Sequence, residues 1–274
     1  MVNPAKFKGT LREDESVVFL DRKDREYLFR LDRSRPLLIR GGKIPVDEVI
    51  GRHEGSLVRS SLNEPFLVFR PTLPQLIPNF PRNAQVIYPK DIGPILVWAD
   101  VFSGAHIVEA GVGAGALSMA LLRAVGADGR LFSYEIRPDF AELARRNVTK
   151  YLGPVTNWTV HIGDVAGELK ETDIDRMILD LPEPWQVIDA AWKALRPGGI
   201  LLSYLPTVLQ VKSLVDALRQ DNRFACVETM ETLMRFWHIK GMSARPQHRM
   251  VAHTGFLTSA RRLADGQNDM PRAP

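Results

Sequence analysis

Cysteine is nearly absent from this 274-residue chain. Cys226 stands alone, so an internal disulfide is excluded and a cysteine-ligated metal cluster is not expected. No apolar run approaches ~18 residues, so no membrane-spanning helix is expected. The opening MVNPAKFKGTLREDES has no apolar h-region and does not read as a secretory signal. A cytoplasmic address is the default expectation. His248 and His253 stand at no metal-ligand spacing with a cysteine or an acid, so no metal site is expected. Repeats and low-complexity stretches are absent too.

What is present is ordinary for a globular protein: 45% hydrophobic and 25% charged residues, enough for one large domain or one with a smaller companion. Charge is uneven along the chain. Residues 1–90 hold 16 basic and 11 acidic side chains, a net of +5; residues 91–230 hold 13 and 18, a net of −5; residues 231–274 hold 7 and 3, a net of +4. Basic ends around an acidic middle suit a polyanion partner and a cationic small ligand. The same asymmetry suits an ordinary solvated surface.

Residues 16–70 read as short β-strands: SVVFL, EYLFRL, PLLIR, GSLVRSS and PFLVFR, bounded by turn residues. Hairpin turns are expected around Asp32-Arg33-Ser34 and Gly41-Gly42-Lys43. Prolines 65, 71, 74, 78, 81 and 89 then forbid a long helix and mark a linker. Beyond residue 91, strands HIVEA, RLFSYE, WTVHIGD, RMILDL and ILLSYL alternate with helices ALSMALLRAV, PDFAELARRNVTKY, PWQVIDAAWKAL and TVLQVKSLVDALRQ. Gly198-Gly199 are placed after the end of the third of these helices. FACVETMETL and HTGFLTSARRL follow without a helix between them. The expected fold class is α/β: a Rossmann-like, seven-stranded, mostly parallel sheet with an antiparallel edge, preceded by a small β domain. The expected domains are residues 1–75, residues 76–264 and a mobile tail, 265–274.

Glu109-Ala110-Gly111-Val112-Gly113-Ala114-Gly115-Ala116 ends a strand and opens a helix. Glycines let backbone turn sharply against a ligand at the carboxyl ends of the strands. The spacing is also that of a dinucleotide fingerprint. The acids discriminate. Glu109 precedes the glycines, Glu135 ends the second strand where it can accept both hydroxyls of a ribose, and Asp164 ends the third strand where it or its amide can read an adenine amine. Carboxylates cradle a pyrophosphate poorly and a sulfonium-bearing adenosine well, so S-adenosyl-L-methionine fits better than a nicotinamide dinucleotide.

Residues 87–263 resemble the tRNA (adenine-N1)-methyltransferase family that modifies adenosine 58 of the T-loop. The likeness is carried by VIYPKDIGPIL, IVEAGVGAGALSMALLRAVG, SYEIRPDFAELARRNV, LDLPEPWQVIDAAWKAL, SYLPTVLQV and RPQHRMVAHTGFLTSARR. The glycine motif is generic to class I methyltransferases, whereas YPKD, LDLPEPW and YLPTVLQ are specific to the family. Ala114 and Ala116 stand where relatives often have serine, a change that backbone contacts survive. The resemblance implies S-adenosyl-L-methionine as donor, tRNA as acceptor and a homotetramer. The expected cofactor-binding set is Glu109, Gly111, Gly113, Ala114, Gly115, Ala116, Leu117, Glu135, Arg137, Phe140, Asp164, Val165 and Asp180.

Asp180, in LDLPEPW, is the expected principal catalytic residue, holding the exocyclic amine of the target; capping a helix is its alternative role. Tyr88 and Tyr204 match family positions lining the target pocket, and buried core positions are equally open to them. Trp185 suits packing more than a pocket wall, and Gln210 suits either orienting the base or capping a helix. Arg235, Lys240, Arg245 and Arg249, interleaved with Trp237 and His238, suit RNA phosphates and bases; a solvated loop is the alternative. The arginine-rich N-terminal domain is expected to touch tRNA. Competing functions are a methyltransferase of the same fold acting on a small molecule or a protein side chain, a nicotinamide oxidoreductase, and a non-catalytic subunit.

Overall fold

The structure, a computed structural model, describes residues 8–81 and 85–266. Residues 267–274 of the expected tail lie outside the described residues. Contacts divide the described chain into two units, one of residues 8–79 with 150–153 and one of residues 80–81, 85–149 and 154–266.

The smaller unit is built on β1 (Ser16–Leu20), β2 (Glu26–Arg30), β3 (Leu37–Ile39), β4 (Gly42–Ile44), β5 (Ser56–Arg59), β6 (Pro65–Phe69) and the single-turn α1 (Leu73–Leu76). Four strands form an antiparallel sheet in the order β2-β1-β6-β5, and β3 pairs only with β4. The bend at Asp32-Arg33-Ser34 therefore leads out of the sheet; it does not join paired strands. The short β4, Gly-Lys-Ile, has too little apolar pattern to be read in advance. Val17, Phe19, Leu31, Ile39, Phe66 and Val68 make the core. The arginine excess of this unit is largely engaged at home: Arg25 and Arg40 pair with Asp21, Arg33 with Asp47, and Arg70 with Glu15 and Glu54. Counting charges overstates what such arginines offer a polyanion.

The larger unit opens with α2 (Pro89–Trp98), a helix that proline density hid. Pro89 sits in its first turn, where a missing N–H costs nothing. Pro94 gives up one bond to an amide-less ring. The series continues with β7 (His106–Ala110), α3 (Ala116–Val125), β8 (Arg130–Glu135), α4 (Pro138–Leu152), β9 (Trp158–Ile162), α5 (Val165–Glu168) and β10 (Ile174–Leu179). It ends with α6 (Ile188–Ala194), β11 (Leu195–Leu205), α7 (Val208–Gln220), β12 (Phe224–Glu231), β13 (Trp237–Lys240), β14 (Ser243–Pro246) and β15 (Phe256–Arg262).

Seven strands make one sheet in the order β12-β15-β11-β10-β7-β8-β9. The five from β11 to β9 are parallel, and β15 runs antiparallel between β12 and β11. Buried apolar runs in β7 and β10 suit strands covered on both faces. Gly198-Gly199 do not follow a helix end directly. They lie inside β11, where its register with β10 shifts between Ile174 and Arg176, and Gly198 takes φ +78°. The chain leaves β7 toward β8 and β9, then crosses to β10 on the other side. That reversal opens a crevice at the carboxyl ends of β7 and β10.

Candidate active site

The glycine loop is locked between strand ends. The Gly111 amide donates to the Tyr134 carbonyl at 3.0 Å, and the Asp180 amide donates to the Ala110 carbonyl at 2.9 Å. Gly111 takes φ +85°, and a Cβ there would lie 2.1 Å from the Asp180 carbonyl oxygen. Only glycine fits. Gly115 (φ +82°) precedes α3, and a Cβ there would fall 3.2 Å from Ala144 of α4. Gly113 faces open space, and its amide donates to Glu135 Oε2 at 3.3 Å.

Above this loop lies a cavity of 680 Å³, within the roughly 300–1,000 Å³ usual for small-molecule sites. Among the described residues its charged walls are Glu135, Asp164, Asp180 and Glu183 against Arg137, four carboxylates to one guanidinium. Burial pushes the Asp180 carboxyl up to about 7, and the Glu135 charge adds to it. Arg137 lies over the Phe140 ring, 3.3 Å from its centroid. Asp164 lines the cavity and also caps α5, accepting from the Ala166 amide at 3.0 Å.

Of the expected cofactor set, Gly111, Gly113, Glu135, Arg137, Asp164, Val165 and Asp180 line the cavity. Ala114, Gly115, Ala116, Leu117, Phe140 and Glu109 do not. Glu109 is fully buried. Its Oε2 accepts from the hydroxyls of Ser118 and Ser133, each at 2.7 Å, while Oε1 has no partner. Burial pushes this carboxyl up to about 7. The folded value lies above the unfolded one of about 4.5, so the group's contribution to stability falls as pH rises from about 4.5 through 7. Glu109→Gln is expected to raise the melting temperature by several degrees at pH 8 relative to wild type, and the gain should shrink toward pH 5. A difference in melting that ignores pH would exclude Glu109 as the strained group.

Several lining residues lie within the quoted segments but were not among the expected site residues. Ile136, 68% exposed, offers an apolar wall directly after Glu135. Tyr134 donates its hydroxyl to Glu171, and His161 stacks on its ring. Glu183 supplies the fourth acid. The signals for Ile136 and Glu183 were their places beside Glu135 and Asp180.

Tyr88 and Tyr204 are not in this cavity's lining. Tyr88 is the N-cap residue of α2. Tyr204 follows Ser203, the partner of Leu179, so it stands at the carboxyl end of β11 beside Asp180. Burial, chiefly, pushes its hydroxyl up to about 12. Trp185 packs against the core. Gln210 donates from Nε2 to the Pro182 carbonyl at 3.0 Å while its amide N–H donates to Thr207 Oγ1, so it holds the loop after Asp180 and completes the cap of α7. Trp237, His238, Lys240 and Arg245 lie on the exposed hairpin β13–β14, with Arg235 before it and Arg249 after it. The same arm exposes Leu233, Phe236, Ile239 and Met242, more apolar surface than a phosphate contact needs.

The donor set fits S-adenosyl-L-methionine. The acids oppose an ammonium and a sulfonium, the glycines permit close approach, and buried Glu109 keeps an unpartnered oxygen beneath the loop. A pyrophosphate would meet four carboxylates.

Comparison with known proteins agrees with this geometry. A family model described as the tRNA methyltransferase complex GCD14 subunit matches residues 66–244, and a TrmI-like N-terminal model matches residues 9–58. The tRNA (adenine(58)-N(1))-methyltransferase TrmI of Thermus thermophilus is 36% identical over 247 residues, covering 90% of this chain and 96% of that one. A solved structure described as a SAM-dependent O-methyltransferase from Thermotoga maritima superposes with a TM-score of 0.88 at 34% identity, covering 96% of this chain and 98% of that one. The tRNA (m1A58) methyltransferase TrmI from Aquifex aeolicus gives 0.82 at 29% identity, covering 93% and 100%. A family model that spans more than half of the sequence, and a relative this similar along nine-tenths of it, place the chain in the GCD14/TrmI tRNA methyltransferase family.

Proposed function

We propose that this chain transfers a methyl group from S-adenosyl-L-methionine to N1 of adenine 58 in the T-loop of tRNA. The observation that carries the reading is the acid-walled cavity at the crossover of the sheet, with Asp180 at its edge. The Thermus and Aquifex relatives are named for that base. When bound, S-adenosyl-L-methionine supplies an electrophilic methyl group on a sulfonium. Adenine N1 carries an in-plane lone pair at neutral pH and needs no base. The protein's work is to align the purine and to stabilise the positive charge that develops on it. Asp180 accepts a hydrogen bond from the exocyclic amine, and that bond strengthens as the amine becomes acidic. Stacked in the folded tRNA, the target must be extracted to reach the site; Tyr88 and Tyr204 are proposed to hold it.

Residues 1–75 are read as an N-terminal β domain and 76–264 as the methyltransferase domain, in keeping with the two separate family matches. The enzyme is read as cytoplasmic; no helix among the described residues is long and apolar enough to cross a membrane. It is read as a homotetramer that uses the apolar arm around Trp237 and Ile239, with Arg235, Arg245 and Arg249 left to RNA. Trp237→Glu with Ile239→Glu is expected to reduce a four-chain species to smaller ones in native mass spectrometry; an unchanged assembly would remove the arm from it.

Transfer of labelled methyl to unmodified tRNA tests the function. Label should appear as N1-methyladenosine at position 58, and a transcript with guanine there should take up none. Label on a small molecule or protein, with tRNA bare, would favour the other acceptor class.

A further inference from the structure

The exposed arm β13–β14 departs after Glu231, the last residue of β12, and the chain returns to β15 through His253 and Thr254. Hydrogen bonds fasten this root at several points. Lys90 Nζ donates to the Thr232 carbonyl at 2.8 Å, and the Thr254 hydroxyl donates to Asp91 Oδ2 at 2.6 Å, so both sides of the root are held to the start of α2. His253 makes two more bonds, each at 2.8 Å: Nδ1 meets Glu231 Oε1, and Nε2 meets the Pro206 carbonyl just past the end of β11. Its ring rests against Phe256 of β15, with centroids 5.0 Å apart. None of these residues lines the cavity of the glycine loop.

The partners decide the protonation of the ring. A carbonyl and a carboxylate only accept. A neutral imidazole has one N–H and satisfies one of them, leaving its bare nitrogen against the lone pairs of the other. Both bonds together require the imidazolium. Charges act on the ring from two elements: Glu231 ends β12, and Lys90, paired with Asp91, opens α2. The bonds to Glu231 and Pro206 outweigh Lys90 and hold the His253 pKa above its ordinary value of 6.5. With the folded value raised, the clasp is complete at low pH and is lost as pH rises through that value.

From Pro206 the hold passes inward. Thr207, next in the chain, donates its hydroxyl to Gln210 Oε1 at 2.6 Å, which leaves Gln210 Nε2 to the Pro182 carbonyl, 3.0 Å away. Pro182 lies two residues after Asp180 and lines the cavity; Tyr204 lies two residues before Pro206. We propose that His253 is a positioning residue: as an imidazolium it clasps the root of the arm to the loop after Tyr204 and, through Gln210, to the loop after Asp180. Resting on the proposed function, this deepens it: the frame that carries the arm also sets the loops that receive the purine. The ring is half exposed, so its bonds are screened and align the loops more than they hold the fold together.

The test uses the full chain, His253→Ala and Glu231→Gln. In Glu231→Gln the clasp persists without the charge: a neutral ring donates from Nε2 to Pro206 and accepts the carboxamide N–H at Nδ1. Ring 15N shifts, titrated without tRNA, should place the wild-type His253 midpoint above 6.5, with both nitrogens protonated below it, and Glu231→Gln should lower that midpoint. His253→Ala should lower kcat about tenfold through misaligned loops, with calorimetric affinity for S-adenosyl-L-methionine unchanged. Wild-type kcat/KM for tRNA should fall about fivefold at alkaline pH as the clasp opens. Glu231→Gln, within about twofold of wild type near neutral pH, should lack this limb. A midpoint that Glu231→Gln leaves in place overturns the proposal, and so does full kcat in His253→Ala or an alkaline limb that Glu231→Gln retains. Should wild type fail to methylate tRNA at all, the proposed function falls, and the ring titration still decides the clasp.

Discussion

Asp180→Ala is expected to lower kcat by about 10²–10³-fold, the scale of removing one preorganised partner of a developing charge, while calorimetric affinity for S-adenosyl-L-methionine stays within a few fold. Three features single out this carboxylate. It follows β10 at the crossover of the sheet, it lines the cavity, and its backbone is fixed by the bond from its amide to Ala110. Burial and the nearby Glu135 charge raise its carboxyl to about 7. The ionised form is the better acceptor for an amine that is losing electron density. Wild-type kcat/KM should therefore fall as pH drops below about 7, through a single protonation. Asp180→Asn should be slow and should lose that limb. Near-normal turnover by the alanine variant would remove Asp180 from the mechanism.

Gly111→Ala should abolish measurable donor binding, whereas Gly113→Ala should weaken it far less. Both glycines have positive φ, so both pay a backbone cost in alanine form. The difference is space. At Gly111 the new methyl would sit 2.1 Å from the Asp180 carbonyl oxygen, a rigid backbone atom at the end of β10; at Gly113 nothing lies within 4 Å. Relief at Gly111 requires the ends of β7 and β10 to part, which spoils the cavity floor and displaces Asp180. Equal losses in the two variants, measured by titration calorimetry on folded protein, would show that strain, not this contact, sets the loop.

Much of the larger unit was legible because its signals are local. β7, α3 and β8 fall on the residues that strand runs, a glycine turn and helix periodicity marked out. Thr207 caps α7 as its type predicts, accepting from the Gln210 amide. Proline hid α2, since a ring in a first helical turn and a ring in a linker look alike in sequence. Gly198-Gly199 read as helix punctuation because a bulge is defined by a neighbouring strand. Sequence shows Glu109 as a carboxylate beside glycines and says nothing of the two serines that hold one of its oxygens. The bond from Thr254 to Asp91 joins residues 163 positions apart, which no local pattern announces.

The site is an acid-walled crevice that selects a cationic nucleoside over an anionic one. Isothermal titration calorimetry with S-adenosyl-L-methionine, its demethylated product and NAD compares them directly. One site per chain for the first two ligands, and no heat for NAD, is the predicted result. Silence from the methyl donor and its product, or binding of NAD in their place, would contradict the account at its foundation.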